Sequence, residues 1–176
     1  MALTEIFCNV KKASRQLASA GEELKNNVLN NLADAIMRNK DTLLKANAYD
    51  LELADSNSPM YDRLMLTDKR LDEIAEGIRN VASLPSPLDR VMLERRLPNG
   101  LRLRKISVPF GVIGAVYEAR PNVSFDVFSL CLKSGNACVL KGGKDADWSN
   151  RAIVALIHNV LEQSGMDPSV VELLPS

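Results

Sequence analysis

The chain has 176 residues, 46% of them hydrophobic and 25% charged, which is enough length and apolar content for one domain with a real core. Its 22 basic and 22 acidic residues balance, so no global field draws it to nucleic acid or to an anionic membrane. No apolar run approaches the roughly 20 residues that span a bilayer, and Met1-Ala-Leu-Thr-Glu-Ile lacks the pattern of a secretory signal. The three cysteines, Cys8, Cys131 and Cys138, form neither a C-x-x-C pair nor a disulfide framework. A reducing, cytoplasmic setting is expected.

Residues 1–84 carry helical periodicity. Ile6, Val10, Ala13 and Leu17 share one face, and Gly21 follows as a stop. Leu24, Val28, Leu32 and Ala35 form a second stripe. A third helix is expected from Asp41 as N-cap, with Leu44, Ala48 and Leu51 inward. Residues 55–59 have loop composition, and Thr67 is placed to cap a helix whose apolar face is Leu71, Ile74, Ile78 and Val81.

Pro85 and Pro87 end the helical part, and the period then changes to two. Leu101 and Leu103 alternate with Arg102 and Arg104, as in a half-buried strand. Pro98-Asn99-Gly100 before them carries the strong Asn-Gly turn signal, so 93–108 is predicted to be a β-hairpin. Its arginines are read as a solvated strand face that discourages edge pairing, in preference to a phosphate or nucleic-acid patch.

From Val112 to Tyr117 the chain is apolar on both alternating faces, the pattern of a central strand covered on both sides. A helix over 124–133, a turn at Ser134-Gly135-Asn136 and a short buried strand over 137–140 follow. A last helix is expected with Asp147 as N-cap, its stripe Ile153, Leu156, Ile157, Val160 and Leu161, and Gly165 at its end. Residues 170–174 begin a further strand, and the sheet looks cut short there. The fold class is therefore α/β: a helical segment (1–84), a linker and hairpin (85–108), and a βαβα unit (109–176) that starts a Rossmann-like parallel sheet.

In such sheets, ligands bind outside the carboxyl ends of the strands. One strand end leads to Glu118-Ala-Arg120-Pro-Asn122, and the other to Lys141-Gly142-Gly143-Lys144. Glycines let backbone amides approach a ligand, two lysines add positive charge, and the N-terminus of the following helix presents free N–H groups. This suits a phosphate-bearing ligand, and a flexible turn with solvated lysines is the equal alternative. Arg120 could grip a carboxylate or phosphate and Asn122 could donate to an oxyanion; the alternative is a turn in which Arg120 pairs with Glu118. Neither G-x-G-x-x-G nor G-x-x-x-x-G-K-[ST] is present. The cysteines are expected to be buried small hydrophobes and His158 to be structural. No metal-ligand cluster and no Cys-His or Ser-His-Asp arrangement is visible.

The segments 108–123 and 133–144, with their Glu-Ala-Arg-Pro-Asn and Lys-Gly-Gly-Lys motifs, closely resemble the gamma-glutamyl phosphate reductase family of the aldehyde dehydrogenase superfamily. The helical start and the Leu-Pro-Asn-Gly-Leu hairpin fit the N-terminal portion of the same family. The resemblance implies NADPH-dependent reduction of L-glutamate 5-phosphate to the 5-semialdehyde in proline biosynthesis, through a cysteine thioester. It implies cofactor binding by Lys141, Gly142, Gly143 and Lys144, substrate binding by Arg120 and Asn122, and a parent enzyme that forms homo-oligomers. In the wider superfamily the residue after the Lys141 equivalent is commonly proline, whereas here it is Gly142. The family's nucleophilic cysteine lies on a separate catalytic domain and matches nothing in 1–176, so no catalytic residue is assigned and the chain alone is expected to be inactive. A non-catalytic nucleotide-binding module, and another superfamily member such as an acyl-CoA reductase, are the competing readings.

Overall fold

The structure is a computed structural model that describes residues 3–118 and 120–175; Met1, Ala2, Ala119 of the Glu-Ala-Arg-Pro-Asn motif, and Ser176 lie outside the described residues. Three long helices open the chain: α1 (Leu3–Ser19), α2 (Glu22–Arg38) and α3 (Lys40–Leu53). A single turn, α4 (Tyr61–Leu64), precedes α5 (Asp68–Ser83). The expected stripe of α1 is buried in full. Along α2, Val28, Leu32 and Ala35 are buried while Leu24 is exposed. Thr67 caps α5 as expected, its hydroxyl accepting from the amide of Arg70 at 3.2 Å.

Helix α3 departs from its predicted face. The helix starts after Asn39, and its buried residues are Leu43, Asn47 and Asp50; Ala48 is exposed, and Leu44 and Leu51 are half-buried. Two of the three inward residues are polar because they bond to other segments. Asn47 Nδ2 donates to the Leu64 carbonyl at 2.9 Å, and its Oδ1 accepts from the Leu66 amide at 2.7 Å. Asp50 accepts from the amides of Trp148 and Ser149 at 3.0 and 2.8 Å, and from the Ser149 hydroxyl.

The hairpin consists of antiparallel β1 (Val91–Arg96) and β2 (Arg102–Ile106), closed at Gly100 with φ +86°. Every residue of both strands is exposed, so the expected half-burial is not found. The ribbon stands clear of the core, and Glu94 pairs with both Arg102 and Arg104 across its surface.

The parallel sheet has the order β3-β4-β5, from β3 (Val112–Val116), β4 (Ala137–Lys141) and β5 (Val171–Leu173). The run that begins another strand does pair, with β4. Strand β4 is central and buried, as its sequence indicates. Strand β3 is not the covered central strand expected: it lies at the sheet edge, and Val112, Gly114 and Val116 face outward, Val116 being 85% exposed. Helix α6 (Asn122–Lys133) connects β3 to β4, and α7 (Asp147–Gln163) connects β4 to β5. The five expected core residues of α7 are all buried. Lys133, 4% exposed at the end of α6, reaches Glu22, Asn26 and the Ala82 carbonyl, at 3.2, 2.7 and 2.9 Å, and so ties α6 to α2 and α5. No described helix is long and apolar enough to cross a membrane.

Asp147 does not cap α7. It is the first helical residue and pairs with Arg151 at 2.8 Å, whereas Asp50 of α3 takes the amides that a cap would satisfy. Replacing Asp50 with alanine leaves two amides and a buried hydroxyl without their acceptor. A loss of about 2–4 kcal/mol is expected in urea unfolding, with a smaller loss for Asp50→Asn, and an alanine variant of unchanged stability would contradict this role.

Candidate functional site at the strand ends

Parallel pairing in register Val116↔Lys141 brings the carboxyl ends of β3 and β4 side by side, and the Tyr117 amide donates to the Lys141 carbonyl at 3.1 Å. Beneath this edge lies a buried polar joint that no sequence motif indicated. Asn150 of α7 accepts from the Ser124 hydroxyl at 2.9 Å. Ser124 lies 2.6 Å from the Tyr117 hydroxyl; with its own hydrogen directed to Asn150, it accepts from the tyrosine. Ser124 and Asn150 are both buried. Burial holds the Tyr117 phenol above its ordinary pKa, against the Ser124 hydrogen bond.

The joint accounts for Gly142. A Cβ on this residue would lie 2.2 Å from Asn150 Nδ2 and 3.1 Å from its Cγ, so any side chain there would displace the amide. Gly142 is buried, and its close approach is to Asn150. The following helix is less open than the sequence suggests. A short 3-10 turn (Lys144–Ala146) precedes α7, and the Trp148 and Ser149 amides are already bonded to Asp50. Positive charge at this strand end therefore comes from the lysines. Lys141 is half-buried, with Nζ 3.4 Å from the Gly142 carbonyl; Lys144 is exposed and has no carboxylate partner among the described residues. Lys144 lines a groove of about 190 Å³ with Asp50, Leu53 and Trp148.

Arg120 and Asn122 open onto a different concavity, a cleft of about 410 Å³ between the α4–α5 segment and α6. Asn122 begins α6 and donates from Nδ2 to Asp126 at 3.1 Å. Desolvation by the surrounding protein raises the Asp126 carboxyl above its usual range, and the Asn122 bond opposes it. No Arg120–Glu118 ion pair occurs among the described residues. One sheet edge thus serves two hollows, with the lysine loop at one and the Arg-Pro-Asn turn at the other.

Among the described residues no cluster suits a metal ion. Cys131 and Cys138 are buried; Cys8, contrary to expectation, is exposed because it faces away from the α1 stripe. The Cys138 thiol is pushed well up by its hydrogen bond with Cys131 and by burial, so it stays protonated. His158 Nε2 lies 2.8 Å from the Val171 carbonyl, a structural contact joining α7 to β5.

The architecture is shared with solved structures of aldehyde dehydrogenases. A glyceraldehyde-3-phosphate dehydrogenase from Methanocaldococcus jannaschii, solved with NADP, superposes with TM-score 0.70 at 19% identity over 97% of this chain and 35% of its own, which shows the fold alone. The particular resemblance is to gamma-glutamyl phosphate reductase. The reductase of Bacteroides fragilis is 58% identical over all 176 residues. The reductase structure from Thermotoga maritima superposes with TM-score 0.93 at 35% identity, over 98% of this chain and 42% of its own; that from Saccharomyces cerevisiae gives 0.92 at 29% identity, over 99% and 46%. The chain spans 42% of the length of the Bacteroides fragilis relative, at its N-terminal end. No family model matches the chain.

Gly142→Ala should lower stability by about 1–3 kcal/mol by dislodging Asn150. Because one contact is responsible, Gly142→Ala combined with Asn150→Ala should lose clearly less than the sum of the single variants. Strict additivity in denaturant titrations would contradict the steric account.

Proposed function

We propose that this chain forms the nucleotide-side part of a reductase that converts L-glutamate 5-phosphate to L-glutamate 5-semialdehyde with NADPH, a step of proline biosynthesis. The observation that carries the reading is the juxtaposition of the Arg120-Pro-Asn122 and Lys141–Lys144 strand ends, in a chain 58% identical throughout to a gamma-glutamyl phosphate reductase. Lys141 and the Gly142-Gly143 backbone would hold the adenosine ribose, and Lys144, exposed and without an ion-pair partner among the described residues, would take the extra phosphate of NADPH. NADPH supplies the hydride when bound.

Arg120 would hold the acyl phosphate. Asn122, its amide oriented by Asp126, would donate its remaining N–H to the oxygen that becomes anionic when the acyl carbon is attacked. The attacking thiolate would come from outside these 176 residues, a reading supported by the burial of Cys131 and Cys138 and by the position of Cys8, which lines neither hollow. No turnover is expected from the chain alone. In the full-length enzyme the protein would work as a soluble homo-oligomer in the cytoplasm.

Lys144→Ala, made in the full-length enzyme, should weaken NADPH about tenfold or more, the scale of one charge-assisted phosphate contact. NADH affinity should change little. Calorimetric titration of both nucleotides makes the comparison, and equal losses would remove Lys144 from the phosphate site.

A further inference from the structure

The wall of the cleft opposite Arg120 and Asn122 is built around α4, a single turn too short to be stable alone. Its surroundings hold it on several sides. Asn47 bonds the Leu64 carbonyl and the Leu66 amide. Arg70 bonds the Asp62 and Met65 carbonyls and both oxygens of the Asp62 carboxylate, the latter at 3.0 and 3.1 Å. The Leu64 side chain is buried. Within this fixed turn Arg63 has no structural employment. It is exposed to the cleft, and among the described residues its side chain's hydrogen bonding is limited to Nη1 with Met60 Sδ at 3.6 Å, a weak acceptor. No carboxylate lies within ion-pair distance of it among the described residues. The turn is anchored, and the guanidinium it presents is open.

The remaining charges of the cleft sort in the same way. Arg70 and Asp62 are committed to each other, and Glu73 of α5, also in the lining, pairs with Lys69 at 3.7 Å. Asp126 is exposed to the cleft and its side chain bonds the Asn122 amide, with no cation within ion-pair distance among the described residues. The cleft therefore offers two open guanidiniums, Arg63 and Arg120, one open carboxylate, Asp126, and the Asn122 amide. An α-amino-acid acyl phosphate presents the complement: two anionic ends, one ammonium and one carbonyl.

Building on the function proposed above, we infer that the cleft is the recognition site for the amino-acid end of the substrate. Arg63 takes the α-carboxylate and Asp126 faces the α-ammonium, which leaves Arg120 to the phosphate.

The reverse reaction of the full-length enzyme separates these assignments, because it divides the substrate into an aldehyde carrying the α-carboxylate and free inorganic phosphate. Arg63→Gln should raise KM for glutamate 5-semialdehyde about tenfold or more, while KM for phosphate and the Kd for NADP stay near wild type. Asp126→Asn should reduce the preference for this aldehyde over 5-oxopentanoate, which lacks the ammonium. A raised phosphate KM in Arg63→Gln, or kinetics unchanged from wild type, would overturn the Arg63 assignment; an unchanged preference would overturn that of Asp126. A wild-type enzyme inactive in both directions would instead remove the reading on which both rest.

Discussion

Three chain segments converge on a fourth at the side chain of Asn150. Tyr117 leaves β3, Ser124 lies in the first turn of α6, Gly142 leaves β4, and Asn150 lies in the first turns of α7. The hydroxyl chain joins the first two to the asparagine, and the missing Cβ of the glycine lets the third pass against it. A buried polar group without a partner costs about 1–3 kcal/mol, so the members of such a chain hold one another to one arrangement. The consequence is geometric. The two strand ends that carry Arg120, Asn122, Lys141 and Lys144 are fixed relative to each other by side chains that bear none of the proposed ligand contacts.

The same logic organises the helices around the sheet. Asp50 fastens the start of α7 to α3, Asn47 of the same helix fixes α4, and Lys133 holds the end of α6 between α2 and α5. Apolar packing supplies the general driving force, but these bonds set which hollow each loop borders. Helix α3 faces the α4 turn and the α7 start with neighbouring polar residues, so it takes part in shaping both hollows although it lines only the lysine groove, through Asp50 and Leu53.

Hydrophobic periodicity made α1 and α7 legible in the sequence, because their expected stripes are buried in full beside the polar Ser14, Ser149 and Asn150; on α5 it found Leu71 and Ile78, while Ile74 and Val81 are half-buried and Ala75 and Ala82 complete the inward face. It failed for α3, whose inward positions include Asn47 and Asp50; a pattern that scores apolar residues cannot see a face chosen by hydrogen bonding. The cap of α7 was misassigned to Asp147 for a related reason, since the true acceptor comes from another helix and no local spacing reports it. Strand β3 is as apolar as β4, and composition alone could not show that one is central and the other an edge. At the site, the two motifs were readable as the carboxyl ends of adjacent strands. The division into two hollows, the open guanidinium of Arg63 and the dependence of Gly142 on Asn150 all arise from tertiary contacts.

The central claim is that the Lys141–Lys144 strand end is the nucleotide's place and the Arg120–Asn122 strand end the substrate's. A crystal structure of the full-length enzyme with NADP bound tests it most directly. The account predicts the ribose against Lys141, the extra phosphate within ion-pair distance of Lys144, and the cleft beside Arg63 and Arg120 left free. A nucleotide whose phosphates lie in that cleft, with the lysine loop unoccupied, would contradict it.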